Sequence, residues 1–323
     1  MVATFLRMAY RIRQDEPIGK GLERMLAKEL RSAVDQLAHP NASDEAIHES
    51  RKSIKKARAI LLLVPKGFRD KADRDIAQLR GAGHLLAPLR DVDAIVKTAG
   101  DLCHRYDGAQ QQETCASVRR ILEWRKKELE AEGERDRITL SAAQALRVVR
   151  SAKRWHLKRT GFSTLVSTLE WDYKRARRAM ARAEHSNGDA DFHRWRRRIK
   201  VLWYHLRLLE VRATTAKRWA GELKPLEAWL GEDHNLAVLR TELAEPGSQS
   251  DSPAGELVIE LSGRRQEELR REALSSGARL FADRPRDAFR DLEEIWQPRN
   301  NDRQVRDVRG AGLSVSSDTS ASV

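Results

Sequence analysis

The chain repeats itself. Shifted by about 145 residues, His48 falls on His193, Arg51 on Arg196, Lys52 on Arg197, Ile54 on Ile199 and Lys55 on Lys200. At nearly the same shift, "LAPLRDVDAIV" (86–96) falls on "LGEDHNLAVLR" (230–240). The polar breaks "RYDGAQQQ" (105–112) and "EPGSQSDSPAG" (245–255) then follow in register. A match at one motif would be chance, but agreement in order across all of them argues for an internal duplication.

Each copy is patterned as helices. Leu, Ala, Arg, Lys and Glu are abundant, aromatics make up only 6%, and no run of alternating β-branched residues passes as a strand. Helices are expected over roughly 17–38, 44–64, 70–87, 92–104, 110–131, 138–154, 161–184, 190–211, 215–230, 235–244, 253–276 and 285–296. The stretches "HPNASDE" (39–45) and "HSNGDAD" (185–191) punctuate corresponding helix pairs and offer Ser43, Asp44 and Asp189 as caps. The expected organisation is an all-α chain with a first helical-bundle repeat and connecting helix at 1–160 and a second repeat at 161–297. A polar tail at 298–323, poor in large apolar residues, is expected to be disordered.

Charge narrows the partners. Lys and Arg outnumber Asp and Glu 61 to 48, for a net charge of +13, which favours polyanions: nucleic acid, anionic membrane or polymeric phosphate. At about 100° per residue, His48, Arg51, Lys52 and Lys55 share one stripe of their helix, while Ile47, Ile54, Ala57, Leu61 and Val64 gather on another. In "FHRWRRRIKVLWYHLRLL" (192–209), His193, Arg196, Arg197, Lys200 and Arg207 form the cationic stripe. Phe192, Trp195, Ile199, Leu202, Leu206 and Leu209 form the core seam, and Arg194 and Arg198 fall outside the stripe. A solvated basic face would interleave acids at i,i+4, and none lies on these stripes. The theme returns in the preceding helices, with Arg24, Lys28 and Arg31, then Lys174, Arg177, Arg178 and Arg182. Four such stripes suggest one shared cationic groove or channel.

These residues carry a family resemblance. "IHESRKSIKKARAILLLV" and "FHRWRRRIKVLWYHLRLL" resemble the two histidine motifs of the CHAD domain, the conserved histidine α-helical domain. "YRIRQDEPI" (10–18) is similar to its opening, and "LRDVDAIV" and "LGEDHNLAVL" to its paired LGxxRDxD and LGxxND elements. The second of these departs at His234–Asn235, where the family more often has Asn-Asp. The resemblance spans about residues 8 to 296 and implies a tandem pair of four-helix bundles with pseudo-two-fold symmetry that binds inorganic polyphosphate along its basic interface. By position it implies His48, Arg51, Lys55, His193, Arg196 and Lys200 as phosphate ligands; the wheel adds Lys52 and Arg197. The ExExK mark of the triphosphate-tunnel enzymes fused to some members is absent, since "ELEAE" (128–132) lacks the lysine.

Two other classes compete. Nucleic acid would suit the same basic groove nonspecifically, yet no helix-turn-helix, zinc-finger or RNP signature occurs, and Trp195 falls on the core seam, with Trp203 at its edge. A metal-dependent phosphohydrolase would need an HD-type or HExxH site, and neither is present; Asp91, Asp93 and Asn235 suit helix caps better than metal ligands. A non-enzymatic binder without cofactor or metal is therefore expected. The two cysteines, Cys103 and Cys115, form no disulfide framework or zinc-ligand spacing. With no leader-like hydrophobic run and no stretch of about 18 apolar residues, the expected location is cytoplasmic, in association with polyphosphate granules, without membrane insertion. The sequence does not set an oligomeric state.

Overall fold

The computed structural model describes residues 10–13, 16–38, 42–65, 67, 69–106, 133–151, 157–211, 213–244 and 252–292, with scattered positions between 116 and 127. Every regular element among them is helical: α1 (Ile18–Asp35), α2 (Asp44–Leu61), α3 (Arg69–Leu85), α4 (Ala87–Arg105), α5 (Glu134–Ser151), α6 (Phe162–Ser186), α7 (Asp189–Leu209), α8 (Thr214–Ala244), α9 (Pro253–Leu280) and the single turn α10 (Pro285–Ala288). A 3-10 turn, Leu157–Arg159, precedes α6. The chain is all-α, as expected. The polar tail and most of the expected helix at 110–131 lie outside the described residues.

Local chemistry sets the helix ends that matter here. Ser43 caps α2, its hydroxyl accepting from the Ala46 N–H at 3.2 Å, and Asp44 and Glu45 in the first turn complement the positive end of the helix dipole. The turn between α6 and α7 is only Asn187–Gly188. Asn187 takes the left-handed conformation (φ 48°) and its N–H closes on the Ala183 carbonyl, a geometry asparagine tolerates at helix ends. Asp189 accepts from Arg270 and Gln266 of α9 instead of capping α7.

Boundaries near the site differ from expectation: α4 begins at Ala87 rather than near residue 92. The segments read as helices 215–230 and 235–244 are one continuous helix, α8, with Pro225 inside it. "LGEDHN" looked like a break because it carries Gly, Asp and Asn together. Asp233 is in fact buried (1% exposed) and accepts from Arg270 Nε at 2.8 Å, so it anchors α8 to α9. Asn235 therefore lies mid-helix, and Asp91 and Asp93 lie inside α4. None of the three caps a helix. Asp93 instead accepts from Lys126 at 3.2 Å.

The helices α1, α2, α3 and α5 pack on one another, as do α6, α7, α8 and α9. Contacts of α2 with α7, and of α4 with α8 and α9, join these groups. The seam residues Ile54, Ala57, Phe192, Trp195, Ile199 and Leu202 are all buried in the main core, each large apolar side chain contributing about 2 kcal/mol of transfer free energy. A smaller core unites Ile95, Ala99 and Leu102 of α4 with Leu236, Leu239, Val258 and Leu261 of α8 and α9. Gly277 makes the α9 approach possible, since a Cβ there would stand 2.6 Å from Met180 Sδ and 2.8 Å from the Trp195 ring.

Two polar ties fix α7 against the first group. The buried His205 sits 2.7 Å from the Asp172 carboxylate through Nδ1 and 2.8 Å from the Ala59 carbonyl through Nε2. The N-terminal strap crosses the same junction: Ile12 N–H donates to the Leu208 carbonyl at 2.9 Å, and Tyr10 packs edge-on against Tyr204. No described helix is long and apolar enough to cross a membrane.

Candidate functional site

The α2–α7 contact decides which cations meet. Their core seams are buried on the apolar side, so the stripes beside them turn toward each other. Lys55 marks the centre. It is exposed, yet protein surrounds it on most sides, as on the wall of a recess. That surrounding, together with Arg196, Arg51, Lys200 and Arg90, pushes its ammonium down to about 7 from 10.5. Cations from α2, α4 and α7 thus crowd one space.

Each cation is held differently. Arg51 donates to the Gly83 carbonyl at 2.6 Å and lies 3.9 Å from Asp91; burial, Arg90 and Arg196 lower its pKa. Arg196 lies against Gly231 of α8, its Nε 3.7 Å from where a Cβ would stand, and burial lowers its pKa. Its Nε is buried with no hydrogen-bond partner among the described residues, as are Nε of Arg58 and Nδ1 of His193. Lys200 is ion-paired with Glu227 and sits 5.6 Å from the Trp203 ring centre. Lys52 pairs with Glu49 at 2.8 Å, and Arg197 is exposed at the edge. Acids missing from the stripes are thus partly supplied by neighbours, but they do not neutralise the space around Lys55.

Burial disfavours protonation of the three histidines here. His48 accepts from Arg90 Nε at 3.2 Å through Nδ1, and burial followed by Arg90 lowers its pKa. His193 packs at a tilt against His234, with ring centres 4.0 Å apart. Burial, with Arg197, Arg196 and Lys55 nearby, pushes His193 down to about 4. Burial, His193 and the same cations push His234 down to about 3. Unprotonated imidazoles can share this crowded space without adding charge, and each keeps one N–H to donate.

Other expected residues lie elsewhere. Arg24 is gripped by Glu16 through two hydrogen bonds of 2.8 and 2.7 Å and also reaches the Arg11 carbonyl, so it closes the N-terminal strap onto α1. Lys28 is half-buried on the same helix, and Arg31 is exposed. Lys174, Arg177, Arg178 and Arg182 are exposed on α6. Arg207 stacks over Trp203 at 4.9 Å and pairs with Glu210 at 3.5 Å. Of the four stripes, those of α2 and α7 are thus brought together, with Arg90 of α4 and His234 of α8 beside them.

Sequence reasoning missed four contributors. Arg90 and His234 lie in the paired elements quoted above, but only the tertiary register shows them facing the stripes. Arg58 extends the α2 stripe at i+7 from Arg51, a spacing visible in the wheel; Arg80 and Arg197 act on it. Glu227, the acid on Lys200, had no sequence signal. Trp195 is fully buried, and Trp203 donates its Nε1–H to the Ala220 carbonyl at 3.1 Å.

Comparison with known proteins agrees with this architecture. The CHAD domain family model matches residues 3–93 and 24–244. The crystal structure of the CHAD domain from the plant Ricinus communis is similar over 87% of this chain and 97% of that chain, with 19% sequence identity and a TM-score of 0.55. No curated protein matches the sequence. With the family model spanning most of its length, the chain belongs to the CHAD domain family.

Proposed function

We propose that the protein binds inorganic polyphosphate, without catalysis, in the recess lined by Arg51, Lys55, Arg90, His193, Arg196 and Lys200. The observation that carries this reading is the excess of cations around Lys55, strong enough to bring its ammonium to about 7. Such crowding is unfavourable in the ligand-free protein and is relieved by an anion that binds only the folded state. Polyphosphate offers a row of negative charges and no base edge. Arginine forks and lysine point charges suit its oxygens.

The aromatic side chains favour polyphosphate over nucleic acid in this recess. Base stacking needs an exposed ring face, whereas Trp195 is core and the half-buried Trp203 already has Arg207 and Lys200 over its ring at 4.9 and 5.6 Å. The pairing of two repeats at 1–160 and 161–297 about a pseudo-two-fold axis belongs to the same reading, as does cytoplasmic association with polyphosphate granules. The test is competition at fixed ionic strength. Long-chain polyphosphate is expected to displace labelled polyphosphate from the full chain far better than duplex DNA does, with no release of orthophosphate. Equal displacement by both polyanions, or phosphate release, would overturn it.

A further inference from the structure

The outer face of α6 carries a second, separate concentration of charge. At about 100° per residue, Trp171, Lys174, Arg175, Arg178 and Arg182 fall within one arc of roughly 100°. The helix's own acids lie off this arc: Glu170 and Glu184 both fall beyond its Lys174 edge, and Asp172 is buried against His205. Lys174, Arg178 and Arg182 are exposed, and none is held in an ion pair among the described residues. The opposite face, with Leu165, Leu169, Tyr173 and Ala176, is buried in the core, so this arc faces away from the helices that α6 packs on. It continues onto α7, where Arg175 acts on Arg198.

Trp171 distinguishes this face from a merely solvated one. It is 53% exposed, with the Arg175 guanidinium 5.8 Å from the ring centre. A flat ring framed by cations is the arrangement on which an unpaired base stacks while its phosphates meet the charges. We propose that this face of α6 binds single-stranded nucleic acid, with a base on Trp171 and the backbone along Lys174, Arg175, Arg178 and Arg182. A membrane surface fits less well. Interfacial helices present an apolar face for insertion, and the other exposed large apolar residues, Leu85, Leu140, Val148 and Val211, lie on other elements. Polyphosphate has no ring to stack. The site uses none of the recess residues, so it stands whether or not the recess binds polyphosphate.

The test is fluorescence anisotropy of a labelled mixed-sequence single-stranded oligonucleotide, its duplex, and phosphatidylserine vesicles, with the full chain at one ionic strength. Trp171→Ala is expected to weaken single-strand binding about tenfold, Trp171→Phe to retain most of it, and Arg175→Glu with Arg178→Glu to abolish it. Arg51→Ala with Arg196→Ala is expected to leave it nearly unchanged. These α6 positions point outward, so the variants fold; unchanged circular dichroism and thermal midpoint check this. The proposal is overturned if the wild type does not bind the single strand, or if Trp171→Ala binds as well as wild type. Loss of binding in the recess variant alone, or tighter Trp171-dependent binding to vesicles, overturns it equally.

Discussion

Removing a positive charge from the recess should stabilise the ligand-free protein while weakening its hold on polyphosphate. Lys55→Met is the sharpest form of this test because methionine keeps much of the alkyl stem and discards the ammonium. In the folded chain Lys55 sits at about 7, against an ordinary value of 10.5. Between those values the unfolded chain binds more protons, so this residue's contribution to stability rises with pH across that window. Below pH 7 both states are protonated, and the folded state bears the whole cost of the crowded charge. The full displacement corresponds to roughly 5 kcal/mol, but Lys55 remains exposed, and solvent screening leaves about 1–2 kcal/mol. Lys55→Met should then raise the thermal midpoint of the ligand-free protein by about 2–5 °C at pH 6.5. The gain should shrink steadily toward pH 10.5. Polyphosphate should stabilise the variant less than it stabilises the wild type. Melting curves followed by circular dichroism at several pH values, with and without polyphosphate, measure all of this. A lower midpoint at pH 6.5, or a gain that ignores pH, would refute the claim that Lys55 is held among uncompensated cations.

The other cations and ties make their own predictions. Glu227→Gln removes the acid paired with Lys200 and should tighten polyphosphate binding severalfold at low salt, fading as screening grows; titration at two ionic strengths reads it. Arg24→Ala should leave polyphosphate affinity within about twofold of wild type, because Arg24 holds Glu16, yet should cost about 1–2 kcal/mol of stability in urea denaturation. His205→Leu leaves the buried Asp172 without its partner and should cost about 3 kcal/mol in the same assay. A loss under 1 kcal/mol would mean the contact between α7 and α2 does not depend on that tie.

The core and the cationic stripes were legible because both follow from helical period. Ile54 and Ile199 had to be buried, and Lys55 and Lys200 had to stand on a different face. Period places a residue on a face, but it does not say what that face meets. Arg24 shares the spacing of a ligand stripe, yet Glu16, brought back by the strap before α1, takes its guanidinium. Arg90 and His234 needed the opposite knowledge, namely that α4 and α8 reach the α2–α7 junction. The helix break expected near Gly231 failed for a related reason. Asp233 is satisfied by Arg270 from α9, so a residue that usually marks a loop serves packing inside a helix. Trp171 was simply one tryptophan among eight until its exposure separated it from the core tryptophans.

The most direct test of the recess is the affinity of long-chain polyphosphate for the wild type and for a combined Arg51→Ala, Arg196→Ala variant, measured at one ionic strength. These arginines come from α2 and α7, and the charge of each acts on Lys55. Their joint loss should reduce affinity by about 100-fold or more, since charge-assisted arginine–phosphate contacts are each worth about 1.5–3 kcal/mol. The salt dependence of binding should flatten, with helical content unchanged. An affinity that survives the double substitution in a folded protein would contradict the recess as the polyphosphate site.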